Sequence, residues 1–500
     1  MASRSPGSEV SIPAVVRFRS LPLGRRNDKF AALGLVDIDD DGWTECPTGW
    51  RDPFLPASTG TWSTFPALGD LFVYDGSGVM PGRTWVIAPD KATLADRWNA
   101  LRRADDDHKE DLFQPHLRNG KPGDKHVRKV VLAGLGDQPS RFMPVAMDHG
   151  ALIPPVQYAF RSFDRQWIIP DSRLINQANP GLWTAHSDRQ IYLTAPHDRS
   201  PTSGPPLTAT AAIPDLHHYA ARGGRVFPLW LDPGATVSNV RPGLVALLSD
   251  RYATATATDP TDVFAYVTAV VAHPTFTTRF GNDLSTPGLR VPLTTDRDLF
   301  ERAAELGRRV LWPQAFGERF ADPGAGRPSG PPRLPPDRAP TVPVDGAISS
   351  AVGQLPDAMA YDANANRLRI GGGFIANVTP AMWAYEVSGM RVLPQWFSYR
   401  RANRERPLMG DKRPPSRLTE IQPDRWLPEY TTELLHVLNV LGLLIDIEAD
   451  QADLLDRICD GTLLSTIDLT EAGALDLPGG YQTKPSHSTA MPGGTQLDLD

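Results

Sequence analysis

The chain has 500 residues, 41% of them hydrophobic, enough for two or three packed domains because single cores stop growing near ~250–300 residues. Two cysteines, Cys46 and Cys459, are too few for a disulfide framework, and the opening MASRSPGSEVSIPAVVRF lacks an apolar signal core, so a reducing cytoplasm is expected. The net charge of −7 is uneven: residues 429–500 hold thirteen Asp and Glu against Arg457 and Lys484, a net of −11, which leaves +4 for residues 1–428.

Forty-nine prolines and forty-two glycines, about 18% of the chain, exceed the ~12% average and predict many loops and short strands. In chain order, DIDDDGWTECPT (37–48) places Asp37, Asp39, Asp41 and Gly42 as in a calcium loop. Thr48 stands where a bidentate Glu would close the oxygen shell, so an acidic turn is the expectation. Between residues 60 and 260 the apolar runs are short and bounded by turn residues, as in LFVYDG, TWVIAPD, QWIIPD, QIYLTAP and RVFPLWLDPG, which are strand signals. KVVLAGLGDQP (129–139) has a lone Gly134-x-Gly136, but Pro139 and Pro144 follow where a phosphate-facing helix would start, so a turn is predicted.

YAFRSFDRQWIIPDSRLI (158–175) sets three arginines among aromatics. Alternation along a strand places Phe163, Arg165 and Trp167 on one side and Asp164 and Gln166 on the other. Arg165 on a largely apolar side calls for an internal ion pair, with Asp171 as the expected partner, leaving Arg161 or Arg173 to meet a phosphate. Further on, His217 and His218 are adjacent, with His186 and His197 upstream. That spacing lacks a helical i, i+4 ligand pair and predicts no metal site.

Residues 262–274 carry Phe264, Val267, Val270 and Val271 on one helical face, and 296–312 repeat the pattern with charges opposite, predicting a buried and an amphipathic helix. Residues 322–343, DPGAGRPSGPPRLPPDRAPTVP, read as an extended linker. MAYDANANRLRIGGGFIANV reads as a hairpin with Asn/Gly turns. WFSYRRANRERPLMGDKRPPSR (396–417) holds Arg400, Arg401, Arg404, Arg406, Lys412, Arg413 and Arg417 against Glu405 and Asp411, a local net of +5 beside Trp396 and Tyr399. Guanidinium forks with aromatic neighbours suit phosphate and guanine contacts. Residues 429–461 predict two packed helices, with Leu434, Leu438, Leu441 and Ile445 on one seam. The apolar run 434–447 within them is shorter than the ~20 residues of a membrane span. From about 466 the chain is acidic and aperiodic, predicting a disordered tail.

No G-x-x-x-x-G-K-[ST] loop, G-x-S-x-G elbow or Asn-Pro-Pro-aromatic motif occurs, which excludes the usual ATPase, the α/β-hydrolase nucleophile and a complete adenine methyltransferase site.

Four blocks in order resemble the C-terminal specificity region of type ISP restriction-modification enzymes. FPALGDLFVYDGSGVMPGRTWVIAPD (65–90) resembles the segment just past the methyltransferase. Residues 158–175 are similar to an aromatic-Arg-Pro-Phe-Asp-x-Arg signature, with Ser162 in place of proline. Residues 262–311 resemble a helix, an R-[IV]-P-[LI] element and a second helix, and AMWAYEVSGMRVLPQWFSYR (381–400) resembles a block ending in aromatic and basic residues. The resemblance implies sequence-specific recognition of double-stranded DNA in a phage-defence system, with a methyltransferase/helicase-nuclease polypeptide as partner. The chain is expected to be a split subunit, a truncated product or a free-standing module that is not catalytic alone. S-adenosylmethionine, ATP and Mg are expected only in family domains missing from it. An alternative is a split-enzyme subunit of an adenine-specific DNA methyltransferase; another is a protein-interaction scaffold.

The expected fold is α+β: mixed short-strand sheets with packed helices, a Pro/Gly-rich linker, a C-terminal helical pair and a disordered acidic tail. The expected parts are a post-methyltransferase coupling region (1–135), a target-recognition lobe (136–321), the linker (322–357), a hairpin, basic loop and C-terminal helices (358–465) and the tail (466–500). Residues 150–420 are expected to form the readout face.

Overall fold

The computed structural model describes residues 15–19, 21, 26–46, 61–118, 121–122, 125–131, 134–197, 199–219, 224–252, 258–285, 288–402 and 413–486. Helices and small sheets are mixed, an α+β architecture as expected. The chain forms two compact units, Met1–Thr64 and Phe65–Asp500. In the first, Arg17–Phe18 pairs antiparallel with Thr44–Glu45, and the acidic stretch folds as a turn. There the Asp40 carboxylate accepts from the Asp37 N–H at 2.9 Å and from Arg19 at 3.0 Å.

The second unit contains two four-stranded sheets. One runs in the order Thr208–Thr210, Tyr192–Pro196, Gly224–Pro228, Gly76–Ser77, all antiparallel. The other runs Ile213–Pro214, Val156–Arg161, Asp164–Ile168, Ile87–Ala88, with only its first pair parallel. Its central hairpin turns at Ser162–Phe163, where Phe163 takes a φ of 61° and the Ser162 N–H donates to the His218 carbonyl at 2.9 Å. A proline at 162 would lack that donor. Alternation along Asp164–Ile168 is as expected, but its sense is the reverse of an apolar inner face: Asp164, Gln166 and Ile168 are buried, while Arg165 and Trp167 are half-buried.

Helices Pro260–Val271 and Arg297–Gln314 form where the apolar spacing requires. Each starts at an aspartate: the Asp259 side chain accepts from the Thr261 N–H and the Asp296 side chain from the Leu299 N–H, satisfying amides that a helix start leaves open. Their packing is close because residue 307 is glycine. A Cβ there would stand 1.8 Å from the Ala265 carbonyl oxygen.

Four expectations change. Instead of a helical pair, Pro428–Asp460 is one helix of 33 residues. Its acidic middle contains no proline, and the polar residues that interrupt the apolar seam are bonded inside: Asn439 accepts the Leu334 N–H at 2.8 Å and Gln451 donates to the Ala269 carbonyl at 2.9 Å. The Pro-rich stretch is extended but packed on this helix, with Leu334 buried and Arg338 paired with Asp446 at 2.7 Å. A Cβ on Gly442 would meet Leu334 and Met382 side chains at 2.5 Å, so glycine admits that contact. The expected disorder after 466 is replaced, up to Ser486, by the helix Thr466–Glu471, started by a Ser465/Asp468 capping box, and by chain held to the body. Tyr481 Oη donates to the Ser238 carbonyl at 2.7 Å and the Ser486 N–H to the Leu231 carbonyl at 3.1 Å. Residues 487–500 of the expected tail lie outside the described residues. The expected hairpin after the Pro-rich stretch gains a third strand: Met359–Asp362, Arg367–Ile370 and Gly373–Ile375 form a meander.

Candidate nucleic-acid interface

The arginines singled out from sequence separate into buried ties and outward groups. Arg173 is 1% exposed; it bonds both Asp171 oxygens, Asp148 at 2.8 Å and the Met143 carbonyl at 2.8 Å. Arg400 is 3% exposed; it donates to Asp164 Oδ1 and to the Trp396 carbonyl, each at 2.7 Å, and its guanidinium lies 3.8 Å from the Trp396 ring centroid. Neither side chain can reach a phosphate, so both leave the candidate DNA set. Arg161 is half-buried, over the Phe160 ring at 3.9 Å and 3.2 Å from Asp215, whose other oxygen accepts from Tyr158 Oη at 2.7 Å.

The expected Arg165–Asp171 pair does not form. Asp171 is taken by Arg173, two residues away. Arg165 instead places its fork on Glu433, Nε to Oε1 and Nη2 to Oε2 both at 2.8 Å, and reaches Glu318 at 3.0 Å over the Phe316 ring. Burial works to raise the Glu433 pKa, but His436 and Arg165 outweigh it and hold the carboxyl down at about 2.

Glu433 is one of several carboxylates on the long helix with this role. Asp446 pairs with Arg338, Asp450 with Arg309 and Asp456 with Arg279. The acidic and basic parts that are separate along the sequence are therefore partly neutralised against each other in space.

The described residues that flank the basic segment are held to the body on both sides. The Ala402 N–H donates to the Pro356 carbonyl at 2.8 Å, and Arg401 is half-buried, bonding the Ala402 carbonyl at 3.3 Å. On the return, Gln114 Oε1 accepts the Ser416 N–H at 2.8 Å and Arg413 donates to the Pro115 carbonyl at 2.6 Å. Arg417 is exposed; Arg404, Arg406 and Lys412 lie outside the described residues. The return point borders a cleft of about 1020 Å³ whose charged lining is Arg103, Arg413 and Arg417 with Asp105, Asp107, Glu110 and Asp111.

Of the histidines singled out from sequence, His218 is buried, His186 and His217 are half-buried and His197 is exposed. His218 Nδ1 lies 3.1 Å from the Ala159 carbonyl and His186 Nδ1 3.1 Å from Tyr192 Oη; burial pushes both pKa values down to about 4. Among the described residues, no three His, Cys, Asp or Glu side chains are placed to hold a metal, and no helix is long and apolar enough to cross a membrane.

A second cleft, of about 560 Å³, lies between the segment after the Tyr192–Pro196 strand and the Glu386–Val387/Met390–Arg391 hairpin. Its cations are Arg199 and Arg391, which no charge run marks in the sequence. The signal that was available is local: Ser-Gly between EV and MR is a two-residue hairpin pattern, with an arginine closing its second strand.

The model of the type ISP C-terminal specificity domain matches residues 70–436. The chain belongs to this family. That span takes in both four-stranded sheets, the Pro-rich stretch and the basic segment. Solved structures similar to this type ISP specificity domain are a DrdV–DNA complex (TM-score 0.53, 15% identity, 87% of this chain and 42% of that one), a nuclease-deletion mutant of the type ISP restriction-modification enzyme LlaGI with a DNA substrate mimic (0.50, 13%, 86% and 32%) and the ATP-dependent type ISP enzyme LlaBIII bound to DNA (0.51, 11%, 84% and 26%). At these identities the likeness is one of fold. The chain spans less than half the length of each of these proteins. No curated protein matches it in sequence.

Proposed function

We propose that this type ISP specificity domain recognises a particular sequence in double-stranded DNA within a restriction-modification system. It would present the duplex to a methyltransferase/nuclease polypeptide. The observation that carries this reading is the family match over residues 70–436, supported by a shared fold with three proteins whose structures contain DNA or a DNA mimic.

The chemistry divides by role. Phosphate contacts fix register and carry no sequence information, whereas base-edge contacts discriminate. Arg413 and Arg417, at the anchored end of the basic segment, and Arg404, Arg406 and Lys412 within it serve the first role, with Arg401 and Arg161 at its approach. The partner performs the chemistry: an adenine must leave the stack to be methylated, and a module that holds the flanking duplex in place lowers the cost of positioning it. Residues 1–135 would couple the specificity domain to that partner.

Selection from random duplex DNA at near-physiological salt tests the reading. One enriched motif, bound with an affinity that falls as salt rises, is expected; equal recovery of all sequences would overturn it.

A further inference from the structure

The 560 Å³ cleft holds a cation of unusual fixity. Arg391 is exposed, yet its Nη2 donates to the Trp383 carbonyl at 3.0 Å and its guanidinium lies 4.6 Å from the Trp383 ring centroid. Trp383 is itself stacked on Tyr361, with centroids 5.7 Å apart and planes 13° from parallel, and Tyr361 Oη donates to the Val378 carbonyl at 2.9 Å. The guanidinium is thus oriented by a chain of rigid groups, with its remaining N–H donors uncommitted among these bonds.

The hairpin that carries Arg391 is fixed as firmly. Ser388 and Gly389 have φ of 49° and 83°, the mirror-image turn that suits two-residue hairpins. Their amides donate to the Pro205 and Ser203 carbonyls at 3.1 and 2.9 Å. A Cβ on Gly389 would stand 2.3 Å from Thr202 Oγ1, so the turn sits flush on the opposite wall. The Glu386 carboxylate, cross-strand from Arg391, accepts from Ser203 Oγ at 2.5 Å. No carboxylate is among the described residues that line the cleft. Its rim offers Arg199, Ser200, Thr202 and Gln395 above a floor of Tyr219 and Met390. Gln395 Nε2 is directed to Tyr399 Oη at 2.7 Å.

A fixed guanidinium fork suits bidentate acceptors, either two phosphate oxygens or the O6/N7 pair of a guanine edge. The base edge is held rigidly in the stack, so it gains most from donors already oriented to meet it, whereas attraction to phosphate also acts without a fixed orientation. We propose that Arg391 is a specificity-determining residue that reads a guanine edge of the target duplex, with Arg199 across the cleft gripping an adjacent phosphate. This inference rests on the DNA-recognition reading above.

The test uses the full chain and the motif enriched from random duplex DNA, with affinity measured on that motif, on the motif with each guanine pair replaced, and on unrelated duplex, over a salt series. Arg391→Lys keeps the charge and removes the fork. It is expected to weaken the enriched site about 10- to 100-fold, to erase the preference at one guanine position and to leave unrelated duplex unchanged. Arg199→Ala is expected to weaken all duplexes alike and to lower the salt slope by about 1. An Arg391→Lys protein with unaltered preference at every position, or one weakened equally on all DNA, overturns the assignment while DNA recognition stands. A parent chain that enriches no motif removes both. Unchanged melting temperatures separate a lost contact from a lost fold, and Arg391→Ala is expected to repeat the positional loss.

Discussion

Arg400 Nη2 lies 2.7 Å from Asp164 Oδ1, with both side chains 1% exposed and the two residues 236 positions apart in sequence. This pair joins the second sheet to the start of the basic segment. A carboxylate on the inner face of a hairpin is tolerated only while that guanidinium neutralises it. Arg400→Ala leaves the charge buried and is expected to cost ~3–5 kcal/mol, whereas Asp164→Asn combined with Arg400→Met costs clearly less, because no ion is then stranded. Urea unfolding followed by tryptophan fluorescence checks both; equal midpoints for the single variant and the parent would show that the pair is not a structural tie.

Glu433 gives an acid-side dependence. Its folded pKa, about 2, lies below its ordinary value of 4.5, burial being outweighed by His436 and Arg165. A depressed carboxylate contributes stability that is fully present above 4.5 and is lost as pH falls toward 2. Melting temperatures between pH 6 and 2.5 are expected to fall for the parent and to fall less steeply for Glu433→Gln, which starts lower at pH 6 because Arg165 has lost its main counter-charge.

Glu448 works in the opposite sense. Burial raises its pKa to about 7 from the ordinary 4.5, against a hydrogen bond from Tyr385 that lowers it, and its Oε1 has no partner among the described residues. A raised folded pKa means that stability is complete below 4.5 and declines as pH rises through 7. Glu448→Gln is expected to stabilise the protein at pH 8 by roughly 1–3 kcal/mol and to change little at pH 4.5. A variant that is no more stable than the parent at pH 8 would show that the carboxyl is already solvated.

How legible these features are depends on whether their cause is local. The helices Pro260–Val271 and Arg297–Gln314 follow from apolar spacing and an aspartate at each start, both within a few residues of the effect. The Asp164–Ile168 strand is legible as alternation, but its inner face is not, since the partner that makes Asp164 an inward residue is Arg400. Arg165 is expected to pair with Asp171, six residues on, while the residue that binds it, Glu433, is 268 positions away. The long helix is expected as two helices, whereas in the structure its acidic stretch is compensated by Arg309 and Arg279 from other elements. Arg199 and Arg391 carry no run of like charge; the hairpin pattern places Arg391 on a strand, and the meeting of two distant loops brings it opposite Arg199.

The basic segment supplies the last prediction. Its flanks are tied at Ala402 to Pro356 and at Ser416 to Gln114, so Arg404, Arg406 and Lys412 fall in sequence between the two ties and Arg417 directly follows the second. Each phosphate that such a group neutralises releases counterions, and the logarithm of affinity then falls with the logarithm of salt by about 0.9 per contact on B-DNA. Arg404→Ala with Arg417→Ala is expected to flatten the slope by roughly 1–2 and to weaken the enriched and unrelated duplexes by similar factors, since phosphates carry no sequence information. Titrations from 50 to 300 mM salt measure it. A slope equal to the parent's would take the segment out of the DNA interface, and a loss confined to the enriched site would make it a base reader.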